Sequence, residues 1–150
     1  MEHFALSNYL TVTKIFRFEM AHVLTSHDGL CKNIHGHSYK LYVTLTGETK
    51  NSPGASDDGM LMDFSELKKL VNEQIMNTFD HALVINQNAP YAQVLNDLPF
   101  ERIKLVPFQP TCENLILHFA KLLVPKLPAD IRLNRLRLFE TETSYAEWYA

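Results

Sequence analysis

Three histidines carry the strongest chemical signal in this chain. His35-Gly36-His37 sets two imidazoles one residue apart, and His22 closes an apolar-alternating run just upstream. Side chains on extended backbone alternate faces, so His35 and His37 point the same way if residue 35 opens a strand. One cation can then join them, with His22 as a third ligand. Three protein nitrogens leave a fourth position open, which is the arrangement of a working zinc rather than a structural one. Iron(II) and copper also accept imidazole. A lone histidine is ordinarily a satisfied core or surface residue. A His-x-His with a third histidine ending the preceding strand points to a metal instead. Gly36 is placed where backbone would approach a ligand closely.

Groups able to move protons lie near that cluster in sequence. Cys31 sits four residues before His35 in a polar loop, and Lys32 beside it supplies a cation that favours the thiolate. Asp80-His81 follows an apolar helical pattern; a carboxylate next to an imidazole can fix its tautomer. Read alone, that pair is equally a helix end with His81 near the negative pole. Glu140 closes a strand holding Leu136, Leu138 and Phe139. It is either a surface carboxylate or an acceptor for paired N–H donors of a flat heterocycle. Cys112 follows a helix cap and reads as a packing thiol. His3, His27 and His118 have no supporting partners and read as structural or solvated.

The elements that must hold these groups follow from periodicity. Residues 11–22 alternate, with Val12, Phe16, Phe18, Met20 and His22 on one face and Thr13, Arg17 and Glu19 on the other. Residues 23–34 form a loop around Ser26-His27-Asp28-Gly29. Residues 35–46 form a second strand, with His35, His37, Tyr39, Leu41, Val43 and Leu45 on a common face. A polar loop over 47–59 follows. Asp63 caps a helix, Glu66 completes a capping-box pattern, and Phe64, Leu67, Val71 and Ile75 keep helical spacing toward Phe79. Four prolines make 86–110 read as mostly irregular. Thr111 caps a second helix bearing Leu115, Phe119 and Leu122, ended by Pro125 and Pro128. Residues 133–140 and 145–149 read as a hairpin. The order ββααββ predicts an α+β domain: a four-stranded antiparallel sheet with two helices on one face. Thr13, Arg17, Lys40, Tyr42 and Thr44 on the other face suit a wet channel or a subunit interface.

Composition sets outer bounds. A chain of 150 residues is most simply one domain, 1–150, with 1–10 as an N-terminal extension. The net charge of −3 gives no whole-chain case for nucleic acid or membrane binding, so an anionic ligand needs a local basic cluster. Two cysteines are too few for a secreted disulfide framework, and no signal peptide or membrane span is evident. The expectation is a cytoplasmic protein without nucleic-acid or membrane partners.

The ordered set Phe18-x-x-Ala21-His22, Cys31-x-x-x-His35-Gly36-His37, Asp80-His81, Pro110-Thr111-Cys112-Glu113-Asn114 and Glu140-Thr141 resembles the 6-pyruvoyl-tetrahydropterin synthase family over nearly the whole chain. The three-residue spacer after Cys31 resembles its bacterial 6-carboxy-5,6,7,8-tetrahydropterin synthase branch. The resemblance implies the tunnelling fold (T-fold), built into an oligomeric barrel as a homo-oligomer, a trimer or a dimer of trimers (homohexamer). It implies Zn2+ at His22, His35 and His37, Cys31 as the base, and Asp80 and His81 as a second proton-transfer pair. Glu140, a catalytic-site carboxylate, would anchor the pterin, aided by Thr111, Cys112 and Glu113. Asp80-His81 and Glu140 would reach the site from subunits other than the one holding zinc. The implied substrate is 7,8-dihydroneopterin triphosphate, with Lys14, Arg17, Lys32 and Lys40 as candidates for its triphosphate. The alternatives are the pyruvoyl-forming reaction and a non-catalytic zinc- or pterin-binding module. Two departures from the family pattern stand out: Met20 in place of a small residue, and a long segment over 89–109.

Overall fold

A computed structural model describes residues 6–150; His3 and the start of the expected N-terminal extension lie outside the described residues. Strand β1 (Tyr9–His22) and strand β2 (His35–Glu48) pair antiparallel from Tyr9 opposite Glu48 to His22 opposite His35. The strand therefore begins at Tyr9, inside the stretch 1–10. Alternation is kept: Phe16, Phe18 and Met20 are buried, while Ile15, Arg17 and Glu19 between them are exposed.

Strand β3 (Ala82–Asn86) and strand β4 (Ile103–Val106) were not expected. They add in parallel outside β1, and β5 (Arg132–Thr141) and β6 (Ser144–Tyr149) extend the other side. The sheet has six strands in the order β4-β3-β1-β2-β5-β6. The expected antiparallel four, β1-β2-β5-β6, are present, but the sheet is mixed and wider. The reason is local. Ala82 and Val84 of β3 join the main core while Leu83 and Ile85 join a second cluster with Val23, Ala89 and Ala92, so both faces are covered and no alternation marks the strand.

The first helical rod comprises α1 (Phe64–Val71), a π-helical stretch (Asn72–Met76) and α2 (Asn77–Phe79). Asp63 caps it, its carboxylate accepting the Ser65 N–H at 2.6 Å. Leu67, Val71, Ile75 and Phe79 are buried as their spacing demands. Phe64 is not: it is 49% exposed, with the Lys14 ammonium 5.9 Å from its ring centroid. As the first residue of the helix it lies against Lys14 of β1 and outside the buried core. A short α3 (Ala92–Asn96) packs in the second cluster. Helix α4 (Cys112–Leu123) is capped by the Thr111 hydroxyl, which accepts the Asn114 N–H at 3.2 Å. It buries Leu115, Phe119 and Leu123 against β2 and β5 core residues.

Tyr39 stacks on Phe18 at 5.1 Å, and Phe119 meets Phe18 edge-on at 6.2 Å. Each such ring removed from water stabilises the fold by about 1.5–3 kcal/mol. On the other face, Thr13 and Thr44 hydroxyls hydrogen-bond at 2.8 Å, Lys40 pairs with Glu142 at 2.8 Å and Arg137 with Glu147 at 2.6 Å. No helix among the described residues is long and apolar enough to cross a membrane.

Candidate metal centre and its surroundings

The antiparallel register places His22 directly opposite His35, and His37 lies two residues on along the same strand face. The ligating nitrogens of the three lie within 4.8 Å of one another, and this is the one such metal-competent cluster among the described residues. Ring centroids are 4.5 Å apart for His22–His35, 5.1 Å for His22–His37 and 5.0 Å for His35–His37.

Hydrogen bonds decide which nitrogen is free on two of these rings. His22 Nδ1 lies 2.7 Å from the Pro110 carbonyl and His35 Nδ1 lies 2.8 Å from the Asn33 carbonyl. A carbonyl only accepts, so each Nδ1 carries the proton and each Nε2 presents a lone pair. Those two Nε2 atoms are 2.9 Å apart. Nitrogens 2.0–2.1 Å from one tetrahedral ion sit roughly 3.3 Å apart. Two facing lone pairs at this spacing repel unless a cation lies between them. His37 Nε2 is buried without a hydrogen-bond partner among the described residues. The residues present therefore fit a metal ion, and the two carbonyls orient the ligands from behind.

Electrostatics agree. Burial pulls the His22 pKa down from 6.5 to about 4, opposed by the Pro110 hydrogen bond. Burial also lowers His37, opposed by the Glu140 carboxylate. Both rings are neutral at pH 7, as a metal ligand must be.

The other expected site residues distribute as follows. Glu140 Oε1 lies 3.8 Å from His37 Nε2, so the carboxylate at the end of β5 borders the triad. Cys31 lies in a short 3₁₀ turn, Leu30–Lys32, partly exposed, and its sulfur is outside the 4.8 Å cluster. Asp80 and His81 pair, with Nδ1 2.9 Å from Oδ1; the imidazole is 70% exposed and beside Glu19 rather than among the triad. A cleft of about 840 Å³ is lined by Ala21, Gly36, His37, His81, Leu83 and Phe100, so one member of each cluster faces the same space. Thr111, Cys112 and Glu113 start α4, directly after the carbonyl that holds His22. The Cys112 thiol is buried, donates to the Leu138 carbonyl at 3.2 Å, and is pushed up by burial to about 12. Glu113 is exposed.

Gly36 has a different task from the expected ligand approach: a Cβ there would sit 3.3 Å from the Met20 carbonyl, so the constraint is the close pass of β1. Among the remaining histidines, His27 Nδ1 accepts the Gly29 N–H at 2.8 Å, and His118 is half-buried among Phe79 and Phe108. Lys40 is occupied by Glu142.

Two neighbours of the centre were not legible in the sequence. The Tyr39 ring meets those of His22 and His37 nearly at right angles, its buried hydroxyl has no partner among the described residues, and burial holds it well above the usual phenol range. Its place in an apolar alternation made it look like core alone. Gln109 bridges to Thr25 twice, its Oε1 accepting the Thr25 N–H at 3.2 Å and its Nε2 donating to the Thr25 carbonyl at 2.7 Å. That bridge fixes the loop carrying Pro110.

Comparison with known proteins places this geometry. A model of the family described as 6-pyruvoyl tetrahydropterin synthase matches residues 11–150. A Haemophilus influenzae protein named 6-carboxy-5,6,7,8-tetrahydropterin synthase is 36% identical over 146 residues, covering 91% of this chain and 96% of that protein. An Aquifex aeolicus protein of the same name is 29% identical, again over 91% and 96%. Among solved structures, an uncharacterised Wolinella succinogenes protein superposes with a TM-score of 0.78 at 20% identity, covering 95% of this chain and 99% of that one. The Plasmodium vivax 6-pyruvoyl tetrahydropterin synthase gives 0.72 at 17% identity, over 96% and 99%. The chain belongs to the 6-pyruvoyl tetrahydropterin synthase family, and its fold is the T-fold of those structures.

Proposed function

We propose that this protein is a zinc-dependent carbon–carbon lyase. It converts 7,8-dihydroneopterin triphosphate and one water to 6-carboxy-5,6,7,8-tetrahydropterin, with release of acetaldehyde and triphosphate, as a step toward queuosine. The observation that carries this reading is the 36% identity over 91% of the chain to a protein of that name, in a chain whose three imidazoles converge on one point. Zinc is the metal that best suits three neutral nitrogens and an open fourth position.

Bound at His22, His35 and His37, zinc supplies Lewis acidity toward substrate side-chain oxygens, which acidifies the neighbouring C–H. The Cys31 thiolate takes that proton. Asp80 holds the Nδ1–H of His81, so its Nε2 relays a second proton. The Glu140 carboxylate accepts paired N–H donors from the pterin edge. Thr111, Cys112 and Glu113 shape the wall behind it. Arg17 and Lys32 are the candidates left for the triphosphate among the four basic residues, because Lys40 is paired and Lys14 lies against Phe16 and Phe64. Glu140 borders the triad of its own chain, whereas the exposed Asp80-His81 pair stands outside the triad; this supports a homo-oligomer, trimeric or a dimer of trimers, in which Asp80-His81 of one subunit completes the site of another. The two free thiols suit work in the cytoplasm.

Incubation of the zinc-loaded protein with 7,8-dihydroneopterin triphosphate, followed by mass analysis, tests the proposal. The expected products are acetaldehyde and the 6-carboxy pterin. A pyruvoyl product without acetaldehyde assigns the sister reaction, and binding without turnover leaves a pterin-binding module. Cys31→Ala is expected to abolish turnover with zinc still bound; full activity in that variant removes Cys31 as the base.

A further inference from the structure

His81 has φ +60°, a left-handed conformation uncommon for a residue with a Cβ and commonest, among such residues, for Asn, Asp and His. Hydrogen bonds hold it there. The peptide unit between Asp80 and His81 is held at both ends: its N–H donates to the Glu19 carbonyl at 2.6 Å, and its C=O accepts from Arg102 Nε at 2.8 Å. The same guanidinium donates through Nη2 to the Asn77 carbonyl at 2.9 Å. The Glu19 N–H donates to Asp80 Oδ1 at 3.0 Å, on the oxygen that also meets His81 Nδ1. Rotation of this one peptide plane would let His81 leave the left-handed region and would carry its imidazole away from Asp80.

The geometry points to Arg102 as the positioning residue of the Asp80–His81 pair. The rigid guanidinium fork suits the task, because it reaches two carbonyls of the last helical turn with fixed relative direction. A positive charge at that carbonyl end is also favourable. Arg102 itself is held by β3 at the entry to β4: its carbonyl accepts the Leu83 N–H at 2.8 Å, one residue before the parallel pairing of Leu83 with Ile103. This gives the long 89–109 segment a role in the chemistry through Arg102, which also lines the cleft that His37 and His81 face. The inference rests on the role proposed above for Asp80 and His81.

The test uses the zinc-loaded full chain as Arg102→Ala and Arg102→Lys. In Arg102→Ala, kcat is expected to fall roughly 10- to 100-fold, the loss that follows ångström-scale misplacement of a reacting group. KM is expected within about twofold of the parent, with zinc content unchanged. Arg102→Lys is expected to stay impaired, because one ammonium cannot span both carbonyls, whereas millimolar guanidinium added to Arg102→Ala restores part of kcat. A crystal structure of Arg102→Ala is expected to show His81 out of the left-handed region and its contact with Asp80 opened. Unchanged kcat, or a His81 that keeps φ near +60° and its Asp80 contact, overturns the inference. So does a kcat loss matched by zinc loss and unmoved by guanidinium. If the parent protein fails to turn over the pterin triphosphate, the functional proposal fails, and the conformation of His81 in the variant still decides whether Arg102 is the clamp.

Discussion

The chain holds two histidine clusters by opposite means. His22 is 1% exposed, its ring set by a main-chain oxygen and its charge suppressed by burial. His81 is exposed, set by an aspartate beside it and a peptide plane pinned by Glu19 of β1 and by Arg102 just before β4. A metal ligand must stay neutral and still, which burial provides for His22. A group that relays protons must reach solvent or substrate and so cannot be buried; its order has to come from the backbone beneath it.

That contrast can be broken most forcefully at the triad. His22→Ala is expected to weaken zinc affinity roughly 1000-fold or more, by removing the most buried of three ligands. Competition with a chelator reads it, and retained stoichiometric zinc at low free metal would show that His22 is not a ligand.

Acid stability comes next. His22 titrates at about 4 in the folded chain and near 6.5 unfolded. Between those values the unfolded chain binds the proton more readily, so stability is full above about pH 6.5 and falls as pH drops toward 4. The loss approaches about 3 kcal/mol in the metal-free protein. His37 shifts in the same direction. Urea melts of metal-free protein between pH 7 and pH 4 should show this slope, and His22→Gln should flatten it; an equal slope in the variant assigns the effect elsewhere.

At the dyad, Asp80→Asn is expected to lower kcat about 100-fold, within the usual range for a positioned proton-transfer group. Zinc content should not move, which separates the two clusters; coupled loss of metal would merge them. The smallest effect is expected at Gln109→Ala. Releasing the loop that presents the Pro110 carbonyl should reduce zinc affinity about tenfold, the lower end for groups that orient ligands from behind. Calorimetry of zinc binding measures it.

Much of this architecture is legible before any coordinates. Period-two patterns name β1 and β2 and the shared face of His35 and His37, and Asp63 and Thr111 mark both long helices, because caps and alternation are local properties. Strands β3 and β4 escape, since Ala82–Asn86 is buried on both sides and loses its alternation, and parallel pairing leaves no turn between partners. Phe64 misleads because helical spacing does not say which way the first turn faces. Arg102 is invisible for a deeper reason: its partners are carbonyl oxygens of Asn77 and Asp80, which every residue type carries alike.

The same holds for the two oxygens that orient His22 and His35. They belong to Pro110 and Asn33 but not to any side chain. No single codon change can delete an acceptor supplied by the main chain. Metal affinity in this centre is therefore insulated from point substitutions at positions 33 and 110 that preserve the loop path, and it would drift through insertions or deletions that move the loops.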